Sequence, residues 1–273
     1  MKYIAIHSVP RSGSTWLGNI FNSHPDIAFK FQPLFSYAFK GFLTEDSSSS
    51  EINQFFNEIA VSRDSFLNQE DGISRGMIPK FEKRLEPKFC CYKEVRYHNI
   101  LPNMLEKSPD VKCVLLIRNP LAVIYSWWKA PKEFREDEKW DILEEWKNAP
   151  KKNLNKREEF HGYTKWKEVT LLFLILQRKY PEQVTVLNYN DLLSQPFQVV
   201  EKTFKFCGID MATSTKSFIE KSQNIHHDDA YSVFKKRKKD DAWDGQLQQE
   251  IIDYVTKDLK DTPLEQYLYD SLS

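Results

Sequence analysis

The chain has 273 residues, room for one large domain or two small ones, and a single domain over residues 1–273 is the expectation. Hydrophobic residues make up 41% and aromatics 14%, enough for a buried core, while 39 basic side chains balance 39 acidic ones. That balance excludes a global field steering the chain to nucleic acid or membrane, and the longest apolar run, LLFLIL at 171–176, is too short to span a bilayer.

The start, MKYIAIHS, reads as a strand and not as an apolar targeting core, so the expected compartment is the cytoplasm. YIAIHSV (3–9) is the first strand, followed by a turn-rich loop. STWLGNIFNSHPD then sets Trp16, Leu17, Ile20 and Phe21 on one helical face, with Pro25 as its stop. Strand, loop and helix are the context of a phosphate loop, G-x-x-x-x-G-K-[ST]. Laid on that pattern, Gly13 and Thr15 take the second glycine and the closing hydroxyl, but Ser8 and Ser14 replace the first glycine and the lysine. Such a loop presents backbone N–H groups at the positive end of a helix dipole. Gly13 permits close approach of the main chain, Ser12, Ser14 and Thr15 add hydroxyls, and Arg11 supplies a planar cationic fork. With no loop lysine, and Arg118 where a metal-binding carboxylate could end the strand VLLIR, the loop suits a singly charged group such as a sulfuryl, which needs no metal. The bland alternative is an ordinary strand-to-helix turn.

Further on, the last serine of SSSS (47–50) is placed to cap a helix bearing Ile52, Phe55, Phe56 and Ile59. FCCYKEVRY (89–97) reads as a second strand and VKCVLLIR (111–118) as a third, apolar enough to be covered on both faces. NPLAVIYSWWKA starts a helix with Pro120 in its first turn. Residues 131–161 are dense in Lys and Glu, and a helix (163–180), the strand QVTVLNY (183–189) and a helix from Pro196 to Phe206 follow. The tail holds KKRKK (235–239) and an amphipathic helix around Ile251, Ile252 and Val255. Alternating strands and helices predict a three-layer α/β sandwich with a central parallel sheet, P-loop-like in its first crossover. Cys90, Cys91, Cys113 and Cys207 have no metal or disulfide spacing and read as buried reduced thiols. HHDD (226–229) has metal-ligand residue types, but consecutive residues rarely converge on one ion, and no metal is expected.

PRSGSTWL resembles the 5′-phosphosulfate loop of the sulfotransferases that use 3′-phosphoadenosine 5′-phosphosulfate (PAPS). IRNPLAVIYS is similar to that family's 3′-phosphate motif, and VLNYNDLLSQP to its late strand and turn. The resemblance covers the elements from about residue 3 to about residue 209. It implies that Arg11, Ser12, Gly13, Ser14, Thr15 and Trp16 meet the donor's 5′ end, Arg118 and Ser126 its 3′-phosphate, and Tyr189 its adenine. KRKKDDAW aligns Lys236, Arg237 and Trp243 with the family's closing segment, without that segment's glycines. The implied activity is transfer of a sulfuryl group to a hydroxyl of a carbohydrate or small metabolite.

The sequence departs from the family elsewhere. The first loop carries Arg11, as in the carbohydrate- and protein-modifying branch, where cytosolic members have lysine. Gln32 stands where that branch often has a glutamate proposed as base, and a neutral amide is no proton acceptor. Lys93 matches a lysine that precedes a catalytic histidine in cytosolic members, but the histidine's position is Val95. Glu94 and His98 are therefore the candidate bases, with Arg11 and Lys93 stabilising charge on the leaving oxygen. Their bland alternatives are Glu94 as surface partner of Arg96 and His98 as a helix-leading loop residue. Residues 131–166, with Trp140, Trp146 and Trp166, are either an acceptor lid or a hairpin whose tryptophans cap the core. KKRKK is expected to be a flap over the donor's phosphates, with a solvated loop as alternative and the neutral balance counting against a nucleic-acid patch. Two other functions stay open: a nucleoside or nucleotide kinase, opposed by the missing loop lysine, and a catalytically inactive nucleotide- or glycan-binding protein, suggested by Gln32.

Overall fold

A computed structural model describes residues 1–229, 231–236 and 239–268. Its centre is a five-stranded sheet made of β1 (Lys2–His7), β2 (Ile27–Phe31), β3 (Phe89–Glu94), β4 (Val111–Ile117) and β5 (Val184–Asn188). The order is β2-β3-β1-β4-β5 and every pairing is parallel. Successive strand side chains point to opposite faces, and the sheet separates two apolar layers accordingly. Ile4 and Ile6 pack with Leu17, Phe21 and Phe204 on one face. Ala5, between them, joins Phe55, Trp127 and Phe173 on the other. The expected three-layer α/β sandwich follows from that alternation.

One strand was not expected from sequence. Ile27–Phe31 is an edge strand of five residues, paired with β3 alone. Its Lys30 breaks the apolar pattern but is buried, its ammonium donating to the Ser62 carbonyl (2.7 Å) and to Asn68 Oδ1 (2.8 Å). Helix α1 (Ser14–Asn22) buries Leu17, Ile20 and Phe21. Helix α2 (Ser49–Val61) is capped by Ser48 and not by Ser50, since only Ser48 can form the reciprocal box with Glu51 three residues on. The Pro120–Trp128 helix begins with proline, and the Asn119 side chain accepts from the Leu121 N–H.

The tryptophans of 131–166 belong to the core. Trp146 and Trp166 are buried, Trp140 packs edge-on against Phe134, and Trp166 Nε1 donates to the Arg118 carbonyl at 2.9 Å. The four cysteines are buried free thiols. Among the described residues no helix is long and apolar enough to cross a membrane. Because all strands run in one direction, the segments after β1, β2, β3, β4 and β5 emerge at one edge, where ligands of open α/β sheets bind.

Candidate active site

The first loop leaves β1 through two left-handed residues, Arg11 (φ 67°) and Gly13 (φ 84°). Gly13 is required twice over, because a Cβ there would lie 2.3 Å from Tyr189 Cε2. Tyr189 opens the helix after β5, so the last strand's exit is packed onto the first strand's loop. Helix α1 starts at Ser14 with no side-chain cap, its first-turn N–H groups directed towards the loop. Ser12 Oγ is buried without a hydrogen-bond partner. Ser14 is buried as well, whereas Thr15 and Trp16 are half-buried. Trp16 Nε1 donates to Ser222 Oγ at 2.9 Å, and its ring stands edge-on to Tyr189.

The two motif elements 107 and 115 positions from Arg11 converge on it. Arg118 Nη1 donates to the Arg11 carbonyl at 2.6 Å, and its guanidinium lies 4.8 Å from the centre of the Tyr189 ring. Arg11 Nε donates to Ser126 Oγ at 3.3 Å. Thus the loop, Arg118, Ser126 and Tyr189 form one constellation. Lys236 is solvent-exposed, while Lys235 Nζ donates to the His227 carbonyl at 2.6 Å. Arg237 lies outside the described residues. The 226–229 segment is used locally, with His227 Nδ1 near Ser232 Oγ and Asp229 paired to Arg75.

Each arginine has an acidic partner that sequence reasoning missed. Arg118 forms a buried two-pronged pair with Asp240, Nε donating to Oδ2 at 2.7 Å and Nη2 to Oδ1. Arg11 Nη1 donates to Glu133 Oε1 at 3.3 Å. From Glu133 a chain of polar contacts continues: its Oε2 is 3.2 Å from His161 Nε2, His161 Nδ1 is 3.5 Å from Glu159, and Arg96 Nε donates to Glu159 at 3.0 Å. Arg96 Nη1 finally donates to Gln32 Oε1 at 3.2 Å. Burial alone would raise Glu133 and Glu159, but the hydrogen bond with His161 and the charge of Arg11 or Arg96 outweigh it and hold each at about 2. No local spacing signals these partners. A histidine within the Lys/Glu-dense segment was the one available hint.

The residues proposed as bases are buried beside the start of the loop, the Glu94 carbonyl accepting from the Ser8 N–H at 3.3 Å. His98 is fully buried, its Nδ1 3.0 Å from His7 Nδ1 and its ring packed on Phe160 and Phe173. Burial pushes both imidazoles down, which keeps them neutral. His98 leads a short helical segment (His98–Ile100) as a core residue. Glu94 is also fully buried, its Oε1 accepting from the Leu34 N–H at 3.0 Å, and burial raises it to about 7. It is not a surface partner of Arg96, which pairs with Glu159 instead. Lys93 lies buried 4.5 Å from the centre of the Phe31 ring, and burial lowers it to about 7. Gln32, itself left-handed (φ 45°), ties β2 to β3 through its N–H on the Lys93 carbonyl at 2.8 Å.

The assembled chemistry is two guanidinium groups, buried hydroxyls and an uncapped helix start, a pair of neighbouring anion sites. Among the described residues no group of three or more His, Cys, Asp or Glu is placed to hold a metal. A parallel α/β sheet with an arginine-bearing loop at its first crossover defines a P-loop-like fold.

Residues 2–262 match the family described as "Sulfotransferase domain", and the chain belongs to that family. A candidate protein-tyrosine sulfotransferase of Caenorhabditis briggsae is 24% identical over 230 residues, covering 83% of this chain and 69% of that protein. The mouse sulfotransferase SULT7A1, solved with PAP, superposes with a TM-score of 0.54 at 15% identity, covering 98% of this chain and 88% of its own. Retinol dehydratase, solved with retinol and PAP, gives 0.55 at 15% identity, with 96% and 82% covered. At such identities the likeness to the two solved structures is one of fold.

Proposed function

We propose that this chain transfers a sulfuryl group from PAPS to a hydroxyl of a carbohydrate or small metabolite. The observation that carries it is the convergence of Arg118 and Ser126 on Arg11. The donor set fits a nucleotide with anions at both ends: Ser12 Oγ is a buried hydroxyl lacking a partner, and Gly13 lets the Tyr189 ring pack directly on the loop. When bound, PAPS supplies an activated sulfuryl on a phosphate leaving group. Arg11 and the α1 N–H groups would hold its 5′ end, and Arg11, assisted by Lys93, would stabilise the charge growing on the bridging oxygen. Arg118 and Ser126 would hold the 3′-phosphate, with Trp16 and Tyr189 beside the base. The kinase alternative lacks the phosphate-loop lysine, Ser14 occupying its place. A protein tyrosine is a second reading of the acceptor, favoured by the nematode relative.

Calorimetry with 3′-phosphoadenosine 5′-phosphate (PAP) and with adenosine 5′-phosphate tests the donor site. Preference for PAP is expected, whereas metal-dependent preference for ATP would favour the kinase. Labelled PAPS offered with sugars, small alcohols and tyrosine peptides then separates the acceptor classes, and label appearing in peptide alone would replace the carbohydrate or metabolite reading.

A further inference from the structure

Sulfuryl transfer needs a group to take the acceptor's proton, and neither Glu94 nor His98 is open to a substrate, both being 0% exposed. Among the described residues, a carboxylate that touches the arginine of the loop still reaches solvent. Glu133 has a side chain 24% exposed and contacts Arg11 through one oxygen and His161 through the other. Resting on the PAPS reading above, we infer that Glu133 is the catalytic base, receiving the proton of the acceptor hydroxyl as that oxygen attacks sulfur.

The step balances as follows. The acceptor oxygen's bond to sulfur forms while the bond from sulfur to the bridging oxygen breaks. The proton passes to a Glu133 oxygen, and the electron pair of the broken bond leaves on the phosphate oxygen facing Arg11. Glu133 and Arg11 lie within 3.3 Å of each other, so the base and the group that meets the leaving oxygen are neighbours. His161, 2% exposed, fixes the second oxygen of Glu133 and is itself backed by Glu159. The charged and titratable groups facing Glu133 are Arg11, His161, Lys152, Lys93 and Tyr231. Arg11 is the member of this set that the donor would draw away. While it faces Glu133 it adds to the His161 hydrogen bond in holding the carboxylate's basicity down, and its turn towards the sulfated phosphate lifts its own share. Donor binding and base activation are thereby coupled through one guanidinium.

Glu133→Gln keeps the shape and removes the base. Binding of PAP, measured by calorimetry, should tighten up to about fivefold, because Arg11 loses a competing carboxylate. Release of sulfate from PAPS, with water as the acceptor, should slow about 100-fold or more. In Glu133→Ala, added formate should recover part of the rate. Opposite changes in binding and turnover support the inference, since a merely structural role would weaken both. A Glu133→Gln protein that releases sulfate at the wild-type rate overturns it, as does a parallel loss of binding and rate. Failure of the unaltered protein to bind PAP would instead overturn the donor reading.

Discussion

The pair between Arg118 and Asp240 gives the sharpest test of the anion site. Both side chains are nearly sealed, 6% and 1% exposed. Asp240→Ala leaves the guanidinium without its counter-charge, and breaking a buried pair from one side costs about 3–5 kcal/mol. Arg118 keeps its bond to the Arg11 carbonyl and the face of Tyr189, so the lower end, about 3 kcal/mol, is the expected loss in urea unfolding. If Arg118 holds the 3′-phosphate, that phosphate replaces the missing carboxylate. PAP should then bind Asp240→Ala more tightly than the unaltered protein, whereas adenosine 5′-phosphate should not discriminate between them. Ligand at 100 times its Kd adds about 2.7 kcal/mol of stability, enough to mask most of the loss for PAP. The double variant Arg118→Met/Asp240→Leu should regain stability and lose the preference for PAP. A stability loss below about 1 kcal/mol would refute the buried pair, and equal gains from the two nucleotides would refute Arg118 as the 3′-phosphate ligand.

Gly13→Ala places a methyl group in the left-handed region and against Tyr189, costing about 1–2 kcal/mol of stability before the ring moves. PAP affinity should also fall, about tenfold for each 1.4 kcal/mol that the shift of Tyr189 removes; unchanged calorimetry would remove Tyr189 from the site. Glu94 retains its proton up to about 7 when folded, against 4.5 ordinarily. Below the lower value its contribution is fully present, and it is lost as pH rises through the higher one. The unaltered protein should therefore lose stability relative to Glu94→Gln between about pH 4.5 and 7, while the buried neutral His7 and His98 raise the stability of both with pH up to about 6.5; parallel urea midpoints of the two proteins across that range would contradict the burial of a protonated carboxyl. His98→Asn should lower stability but keep turnover per folded molecule; loss of turnover with intact PAP binding would restore His98 as a base.

Much of the fold could be read because its signals are local. The apolar run at 111–117 could be covered on both faces only as a central strand, and Pro120 marked the helix after it. The strand Ile27–Phe31 escaped because its five residues include Lys30, whose burial rests on Ser62 and Asn68, more than 30 residues away. The arginines were legible for a similar reason: the loop, the helix start and the Arg118–Ser126 spacing are short-range patterns. Burial of Glu94 and His98 was not. Alternation along β3 tells which side a residue faces, but not that Leu34 returns to cover Glu94 or that Phe160 and Phe173 close over His98.

The acidic partners were the least legible part and change the character of the site most. Glu133 and Asp240 each lie 122 positions from the arginine they meet, in or beside segments read from sequence as a lid or core-capping hairpin and as a flap or solvated loop. With 39 positive and 39 negative side chains the chain carries no excess field to attract an anion from afar. At the site the same balance holds locally, since each guanidinium already has a carboxylate. Donor binding is then an exchange of anions and not the filling of a bare positive pocket. A ligand with one anionic group can displace one carboxylate and leaves the other pair intact, whereas a ligand with anions at both ends can engage both arginines. On the proposed PAPS reading, that asymmetry would favour a doubly phosphorylated nucleotide over simpler anions. It also predicts that neutralising Asp240 should raise the affinity of inorganic phosphate as well as that of PAP, since both would meet an Arg118 relieved of its carboxylate, a result readable by competition against PAP.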